Sequence, residues 1–455
     1  MDIPAFAADI LRTLETAGYE ACCVGGCVRD ALLGRVPEDW DIATAARPEE
    51  TLAIFGPDAM PTGLRHGTVT IRRPGGSAEV TTFRRDGNYT DHRRPESVTF
   101  TASLEEDLAR RDFTVNAMAF SLRGELRDPF GGRKDLEERR IRCVGEPARR
   151  FGEDALRILR GLRFAAVLDF TIEPETAAAL SSARGDLAAI APERILTELR
   201  KLLLSPRPSA VLRTFPEVFG VFWPELAPMV GFDQRNPHHC YDLWEHTLHA
   251  LDAVPPEESL RFAALLHDVG KPDCFSLDED GVGHFYGHAA RSAALADAML
   301  VRLRAGNALR EEVTELIRRH DTPLPGCPEA TLRRLLRRLG EERLRRLIAL
   351  QRADNLAQAP AYRDRTRALN EVLTRLDDIL SRDACFSLRQ LSVNGRDLLV
   401  LGFRGPAIGA ALDHLLNQVV EGRLPNERQA LLAALRAGNG PQEDAGETED
   451  AGEDR

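Results

Sequence analysis

The residues with the clearest chemistry lie in one stretch, residues 25–41, GGCVRDALLGRVPEDWD. Asp39 and Asp41 stand two apart, so on an extended segment their carboxylates share one face. Two carboxylates on one face repel unless a cation lies between them, and a divalent metal is the usual answer. Gly25 and Gly26 let backbone N–H groups approach a phosphate closely, and Arg29 adds a charged fork. A metal beside a triphosphate cradle points to nucleotidyl transfer.

Other elements must position these groups. The glycine pair leads into a short helix, and a turn delivers the Asp pair. The strings HGTVTIRR and SAEVTTFRR alternate like strands, with a Pro-Gly-Gly turn between them. Glu79, on the second, can share a sheet with the Asp pair as a third carboxylate, or be an ordinary strand glutamate. Residues 84–95, RRDGNYTDHRRP, are polar and rich in turn formers and read as a mobile loop. In LEEDLARRDFTVNAMAF, Arg111 and Asp112 precede an apolar run of helical character, whose start can present them to a ligand.

The string FGEDALRILRGLRFAAVL has apolar residues at helical spacing and predicts one helix. Asp154, Arg157 and Arg160 follow at intervals of three, on one helix face. A surface salt-bridge network would look the same. So would a base reader: Asp154 accepts from an exocyclic amine and Arg157 donates to the adjacent ring nitrogen. Cytosine and adenine offer that pattern. Uracil and guanine place a carbonyl there, leaving buried groups unpaired at about 1–3 kcal/mol each.

A second constellation lies downstream. His246, His267, Asp268, His288, His320 and Asp354 follow in order, the first four around DLWEHTLHAL, LLHDVGKP and FYGHAARSAAL. Imidazole and carboxylate together suit a transition metal such as Mn, Fe, Co or Ni. Lys271 of HDVGKP is suited to meet a phosphate.

Composition bounds the rest. The chain of 455 residues is too long for one core, and its length predicts about three domains. No apolar run reaches the length of a membrane span, and the N-terminal MDIPAFAADILRTLETAGYE reads as an amphipathic helix, not a signal peptide. Eight scattered cysteines without a Cys-x-x-Cys pair read as reduced thiols of a cytoplasmic protein. The net charge of −11 is unusual for an RNA binder, but residues 442–455 contribute −6 of it and read as a disordered tail. Arginines cluster at 84–85, 93–94, 110–111 and 333–346, and local patches govern phosphate contact.

The 25–41 string resembles the nucleotide-binding signature of the class II tRNA nucleotidyltransferase and bacterial poly(A) polymerase family. The resemblance extends over residues 20–436. It implies an α+β fold: a small mixed α/β nucleotidyltransferase head followed by all-α domains, including an HD domain. It implies Mg²⁺ held by Asp39 and Asp41, and it favours Glu79, which stands just before Thr-Thr-x-Arg, as the third carboxylate. It implies nucleotide contacts from Gly25, Gly26, Arg29, Arg111, Asp112, Asp154, Arg157 and Arg160, with Asp112 toward the ribose. The 84–95 segment resembles the flexible loop of enzymes that add the terminal adenosine. His246, His267, Asp268 and Asp354 resemble the ligand set of HD phosphohydrolases, with His288 and His320 as extra ligands. The Asp128-Pro-Phe-Gly-Gly segment matches the family too, or is a structural turn.

The implied domains are 1–145 (head), 146–230 (nucleotide-selecting and RNA-binding helices), 235–365 (HD), 366–436 (C-terminal tRNA-contacting region) and 437–455 (acidic tail). The implied activity is template-independent addition of CCA to tRNA from CTP and ATP, with the HD domain a possible phosphohydrolase. The alternatives are a poly(A) polymerase, an A-adding enzyme, and an HD phosphohydrolase whose head only binds nucleotide or RNA.

Overall fold

The structure, a computed structural model, describes residues 1–87, 98–382 and 385–438. It divides into two compact units, residues 1–318 with 357–359 and residues 319–356 with 360–455.

The first unit opens with a mixed sheet. Its strands are β1 (Ala21–Val24), β2 (Asp41–Thr44), β3 (Ala59–Gly63), β4 (Thr68–Arg73) and β5 (Gly76–Thr82). A separate hairpin follows, β6 (Arg84–Asp86) and β7 (Val98–Phe100), and then β8 (Ala119–Ser121) and β9 (Leu126–Arg127) complete the sheet. The order across it is β3-β4-β5-β2-β1-β8-β9. The hairpin that the sequence predicts for β4 and β5 is present and antiparallel. All four residues of β1 are buried, as expected for a central strand covered on both faces. The helix Ala5–Thr16 buries Ala7, Ile10, Leu11 and Leu14, the stripe of an amphipathic helix.

Three local expectations change. The first residues of the predicted 84–95 loop are strand β6, pairing with β7; residues 88–95, and the tail from 439 onward, lie outside the described residues. No helix follows Arg111 and Asp112. The chain makes one 3₁₀ turn, Thr114–Asn116, and enters β8. Its backbone is spent sideways: Thr114 N–H donates to Arg142 O and Val144 N–H to Asp112 O. That pairing competes with a helical ladder and wins.

The predicted helix over 151–168 is broken. One helix runs Pro147–Glu153 and the next Leu156–Leu168. Asp154 between them is extended, with φ −142° and ψ 104°. Its Oδ1 accepts from Leu156 N–H at 3.1 Å, which ties it to the first residue of the second helix. Asp154 therefore does not share a helix face with Arg157 and Arg160. Asp128 accepts from the N–H groups of Gly132 and Arg133, so that matched segment contains a side-chain-closed turn.

The second unit is helical. Glu329–Leu339, Glu341–Leu356 and Arg365–Arg382 are its longer early helices. Gly395–Val400, Pro406–Val420 and Arg428–Gly438 close on a core that includes Leu398, Leu415, Leu416, Val420 and Leu431. Gly405, at φ +52°, makes the turn that Pro406 then converts into a helix start. Among the described residues no helix is long and apolar enough to cross a membrane.

Candidate active site and candidate metal centre

The head site grows from the end of β1. Gly25 sits at φ +78°, and Gly26 begins the helix Gly26–Leu32. A Cβ on Gly25 would stand 2.9 Å from Arg111 Nη1 and 3.7 Å from Asp41 Oδ2. Only glycine fits between the carboxylate and the guanidinium. On β2, Asp41 is in register with Glu79 of the parallel strand β5. Trp40 is buried while Asp39 is exposed, so the pair flanks an inward tryptophan. Burial raises the Asp41 pKa; Arg111 opposes this, and the negative charges of Glu79 and Asp39 push it further up. Among the described residues the three carboxylates do not converge as closely as the imidazole and carboxylate groups of the second centre do.

A cavity of about 430 Å³ opens beside them. Gly25, Gly26, Arg29 and Asp41 line one side, and Arg111, Asp112, Asp154, Arg157 and Arg160 also reach its wall. The structure thus brings together all the nucleotide-binding residues nominated from sequence, although the helix carrying three of them is broken.

Side chains that sequence reading missed hold this wall in place. Asn116 accepts from Arg29 at 2.7 Å, donates to Asp112 at 3.2 Å, and offers its backbone carbonyl to Arg111 at 3.4 Å. Buried Asp107 takes Arg110 at 2.8 Å and Arg111 at 3.2 Å. Burial works against its ionisation, but the two guanidiniums hold its pKa below the usual value. The (i, i+3) and (i, i+4) spacing of Asp107 to the arginine pair was the available signal. Arg194 reaches Asp154 Oδ2 at 3.1 Å from 40 residues away, and no local pattern announces it.

Arg157 is held by Glu153 Oε2 at 2.7 Å and by the carbonyls of Arg150 and Arg110, each at 3.2 Å. This fixes the plane of its guanidinium at the cavity wall. Arg160 pairs with Asp112 at 2.6 Å. Asp112 also accepts from Phe113 N–H and Asn116 Nδ2, so its carboxylate is heavily engaged within the protein. Burial alone would raise the Asp112 pKa; Arg160 overrides it and holds it well below the usual range.

A depressed carboxylate pKa stabilises the fold above the unfolded value near 4, and that stability is lost as pH falls. Arg160→Met should leave Asp112 buried without its partner. The Arg160 side chain is 34% exposed, so the cost should be about 2 kcal/mol, below that of a fully buried pair. Urea denaturation at pH 7 and pH 3 checks this: the deficit should be full at pH 7 and shrink at pH 3. An equal deficit at both would show that the charge pair is not its source.

The second centre is formed around Asp268. His246 lies in the helix Leu243–Ala253, His267 caps the helix Glu258–Leu266, and His288 begins the helix His288–Arg302. Their Nε2 atoms lie 3.5, 3.3 and 3.4 Å from the Asp268 carboxylate. Each Nδ1 faces a backbone carbonyl: Ala357 at 3.3 Å, Ala264 at 2.8 Å and Phe285 at 2.8 Å. Those carbonyls select the Nδ1–H tautomer, which turns each Nε2 lone pair toward Asp268. This donor set fits a metal ion. Lys271 contacts Asp268 Oδ2 at 2.7 Å and Gln234 at 3.2 Å. His320 is buried just after the helix Asn307–Arg319, and Asp354 sits half-buried in Glu341–Leu356; both belong to the second unit.

Comparison with known proteins agrees along the chain. The Poly A polymerase head domain matches residues 21–142, and the RNA- and SrmB-binding site of polymerase A matches 169–225. The HD domain matches 238–359, and domain 2 of tRNA nucleotidyltransferase matches 328–435. A CCA-adding enzyme of Levilactobacillus brevis is 37% identical over 94% of this chain and 96% of its own length. One from Geobacillus stearothermophilus is 35% identical over 95% of this chain and 96% of its own. The crystal structure of the Bacillus stearothermophilus CCA-adding enzyme in complex with CTP is 31% identical. It superposes with a TM-score of 0.70, covering 96% of this chain and 99% of that one. With relatives of this identity matched over nearly their full length, the chain belongs to the family of CCA-adding enzymes.

Proposed function

We infer that the chain adds C, C and A in turn to the 3′ end of tRNA, taking CTP and ATP and releasing pyrophosphate, without a nucleic-acid template. One observation carries the reading. A single cavity wall joins Asp41 and the glycine pair to Asp154 and Arg157. Phosphate chemistry and base reading therefore act on one bound nucleotide.

We assign roles as follows. Asp39 and Asp41, with Glu79, hold Mg²⁺, which when bound neutralises charge on the attacking and leaving oxygens. Gly25 and Gly26 offer close backbone approach to the phosphates. Arg29 and Arg111, clamped by Asn116 and Asp107, meet the triphosphate as fixed charges. Asp112 positions Arg160 and faces the ribose side of the cavity. Asp154, tied to Leu156 N–H and held by Arg194, accepts from the amine of cytosine or adenine, and Arg157 donates beside it. The tRNA is recognised by A-form shape and backbone, since every tRNA must be accepted. Residues 366–436 are the proposed contact to its far end, and the four segments 1–145, 146–230, 235–365 and 366–436 are the proposed functional division. Eight cysteines without a disulfide support a cytoplasmic setting.

The test is nucleotide dependence. Pyrophosphate release with tRNA lacking CCA should require CTP first, then ATP, and not occur with UTP or GTP alone. Release with ATP alone on tRNA ending in CC, and none with CTP on shorter ends, would instead mark an A-adding enzyme.

For the HD centre we propose that His246, His267, Asp268 and His288 hold Mn, Fe, Co or Ni. The tautomers fixed at Ala357, Ala264 and Phe285 support imidazole ligation, and mixed imidazole–carboxylate donors favour such metals. The bound ion would activate water for phosphoester hydrolysis. A 2′,3′-cyclic phosphate at a damaged tRNA end is a fitting substrate, because such an end cannot accept CMP. His267→Ala/Asp268→Ala should lose bound metal, measured by elemental analysis, and lose hydrolysis, while CCA addition persists. Wild-type protein that binds no transition metal and cleaves no phosphoester would refute this activity.

A further inference from the structure

A short hairpin beside the HD centre carries an exposed aromatic stack that the metal ligands do not use. Its strands, Ser276–Leu277 and Gly283–His284, pair antiparallel. Asp278 closes the turn between them, accepting from Asp280 N–H at 3.0 Å and Val282 N–H at 2.8 Å. The same carboxylate takes His284 Nε2 at 2.8 Å, which pins the imidazole. Tyr286 lies flat on that imidazole, with ring centroids 5.3 Å apart and planes 7° from parallel. Tyr286 is 78% exposed, so its outer face meets solvent. A lone exposed tyrosine needs no explanation, but one held flat against a pinned ring is a fixed platform.

The platform is built into the metal centre. Phe285, between the two stacked residues, packs on Phe275 at 5.6 Å and Phe232 at 6.4 Å. Its ring also lies 5.2 Å from Lys271 Nζ, and its carbonyl faces His288 Nδ1 at 2.8 Å. Gly287, at φ +79°, turns the chain from Tyr286 into His288. Two Cα steps separate those residues, at most about 7.6 Å, a span like that from a phosphate to its own base. Charge sets the direction. Asp278, Glu279 and Asp280 are exposed at the hairpin tip and repel a phosphate there, whereas Lys271 stands at Asp268.

We propose that Tyr286, backed by His284, is a base-stacking subsite of the HD centre. It takes the nucleobase of the nucleotide whose phosphoester lies at His267, Asp268 and His288. The ligand class is a nucleoside phosphoester, free or at an RNA end. Every base has a π-face, so the subsite accepts any base. This assignment rests on the phosphohydrolase reading of that centre.

The test compares Tyr286→Ala with Tyr286→Phe in the full chain supplied with Mn²⁺. Adenosine 2′,3′-cyclic phosphate carries a base, and glycerol 1,2-cyclic phosphate does not. The kcat/KM preference for the first over the second should fall about tenfold in Tyr286→Ala, through KM, and return in Tyr286→Phe. Elemental analysis should find the same bound metal in all three proteins. A second measurement needs no turnover. Fluorescence of Tyr286→Trp should be quenched by adenosine 3′-phosphate and not by glycerol phosphate, after subtracting the wild-type signal from buried Trp40, Trp223 and Trp244. Quenching by tRNA ending in a 3′-phosphate at lower concentration than by the mononucleotide identifies an RNA end as the occupant; the reverse order identifies a free nucleotide. An unchanged preference in Tyr286→Ala, or quenching that ignores the base, would overturn the proposal. Failure of wild-type hydrolysis would count against the phosphohydrolase reading and leave the quenching test standing.

Discussion

Asp41→Ala is expected to lower CMP transfer to tRNA by at least ~1000-fold while CTP binding falls far less. The asymmetry follows from what Asp41 touches. It is in register with Glu79, beside the place where a Gly25 Cβ would strike Arg111, and it lines the nucleotide cavity. Burial raises its pKa, Arg111 opposes, and Glu79 and Asp39 add repulsion, so its ionised form is disfavoured unless a cation is held beside it. A cation held there acts mostly on charge that develops during transfer, which is worth several kcal/mol in the transition state and little in the ground state. The triphosphate keeps Arg29 and Arg111, so affinity survives. Single-turnover transfer and equilibrium CTP binding measured on the same variant separate the two. Asp39→Ala should behave likewise. A variant with half its activity would remove Asp41 from the metal site.

Asp154→Ala is expected to relax base choice more than it lowers turnover with CTP. On the proposed roles the carboxylate would penalise UTP and GTP by setting an acceptor against a carbonyl, at about 1–3 kcal/mol per unpaired group, or roughly 5- to 150-fold in discrimination. Removing it lifts that penalty and releases Arg194, which it holds at 3.1 Å. Arg157 stays fixed by Glu153, so the cavity keeps one donor. The CTP-to-UTP ratio of kcat/KM should fall toward unity. An unchanged ratio would mean that Asp154 shapes the break between the helices without reading the base.

The fold and the site differ in how far sequence reveals them. The β4–β5 hairpin and the stripe of Ala5–Thr16 follow local rules, alternation and helical period, and they stand where those rules put them. The Asp39/Asp41 spacing is a local signal too, but only Asp41 lies in strand β2 and reaches the nucleotide cavity. The break at Asp154 was not legible: its neighbours keep helical spacing on both sides, and its partner Arg194 is 40 residues away. The segment after Asp112 carries the apolar residues of a helix, but its backbone bonds to residues 142 and 144, a choice made by tertiary pairing. Asn116 and Asp107 bind no nominated phosphate group themselves. They hold Arg29, Arg110 and Arg111, a role visible only when the partners are in place.

The most direct measurement is end sequencing. Purified protein is incubated with tRNA lacking its 3′ CCA, with CTP, ATP, UTP and GTP singly and together, and the product 3′ ends are sequenced. The expected result is Mg²⁺-dependent growth by C, C and A in that order, stopping after A, with no incorporation of U or G. Long poly(A) on an unrelated RNA without C addition, or A added to tRNA ending in CC with no C added to shorter ends, would contradict the account.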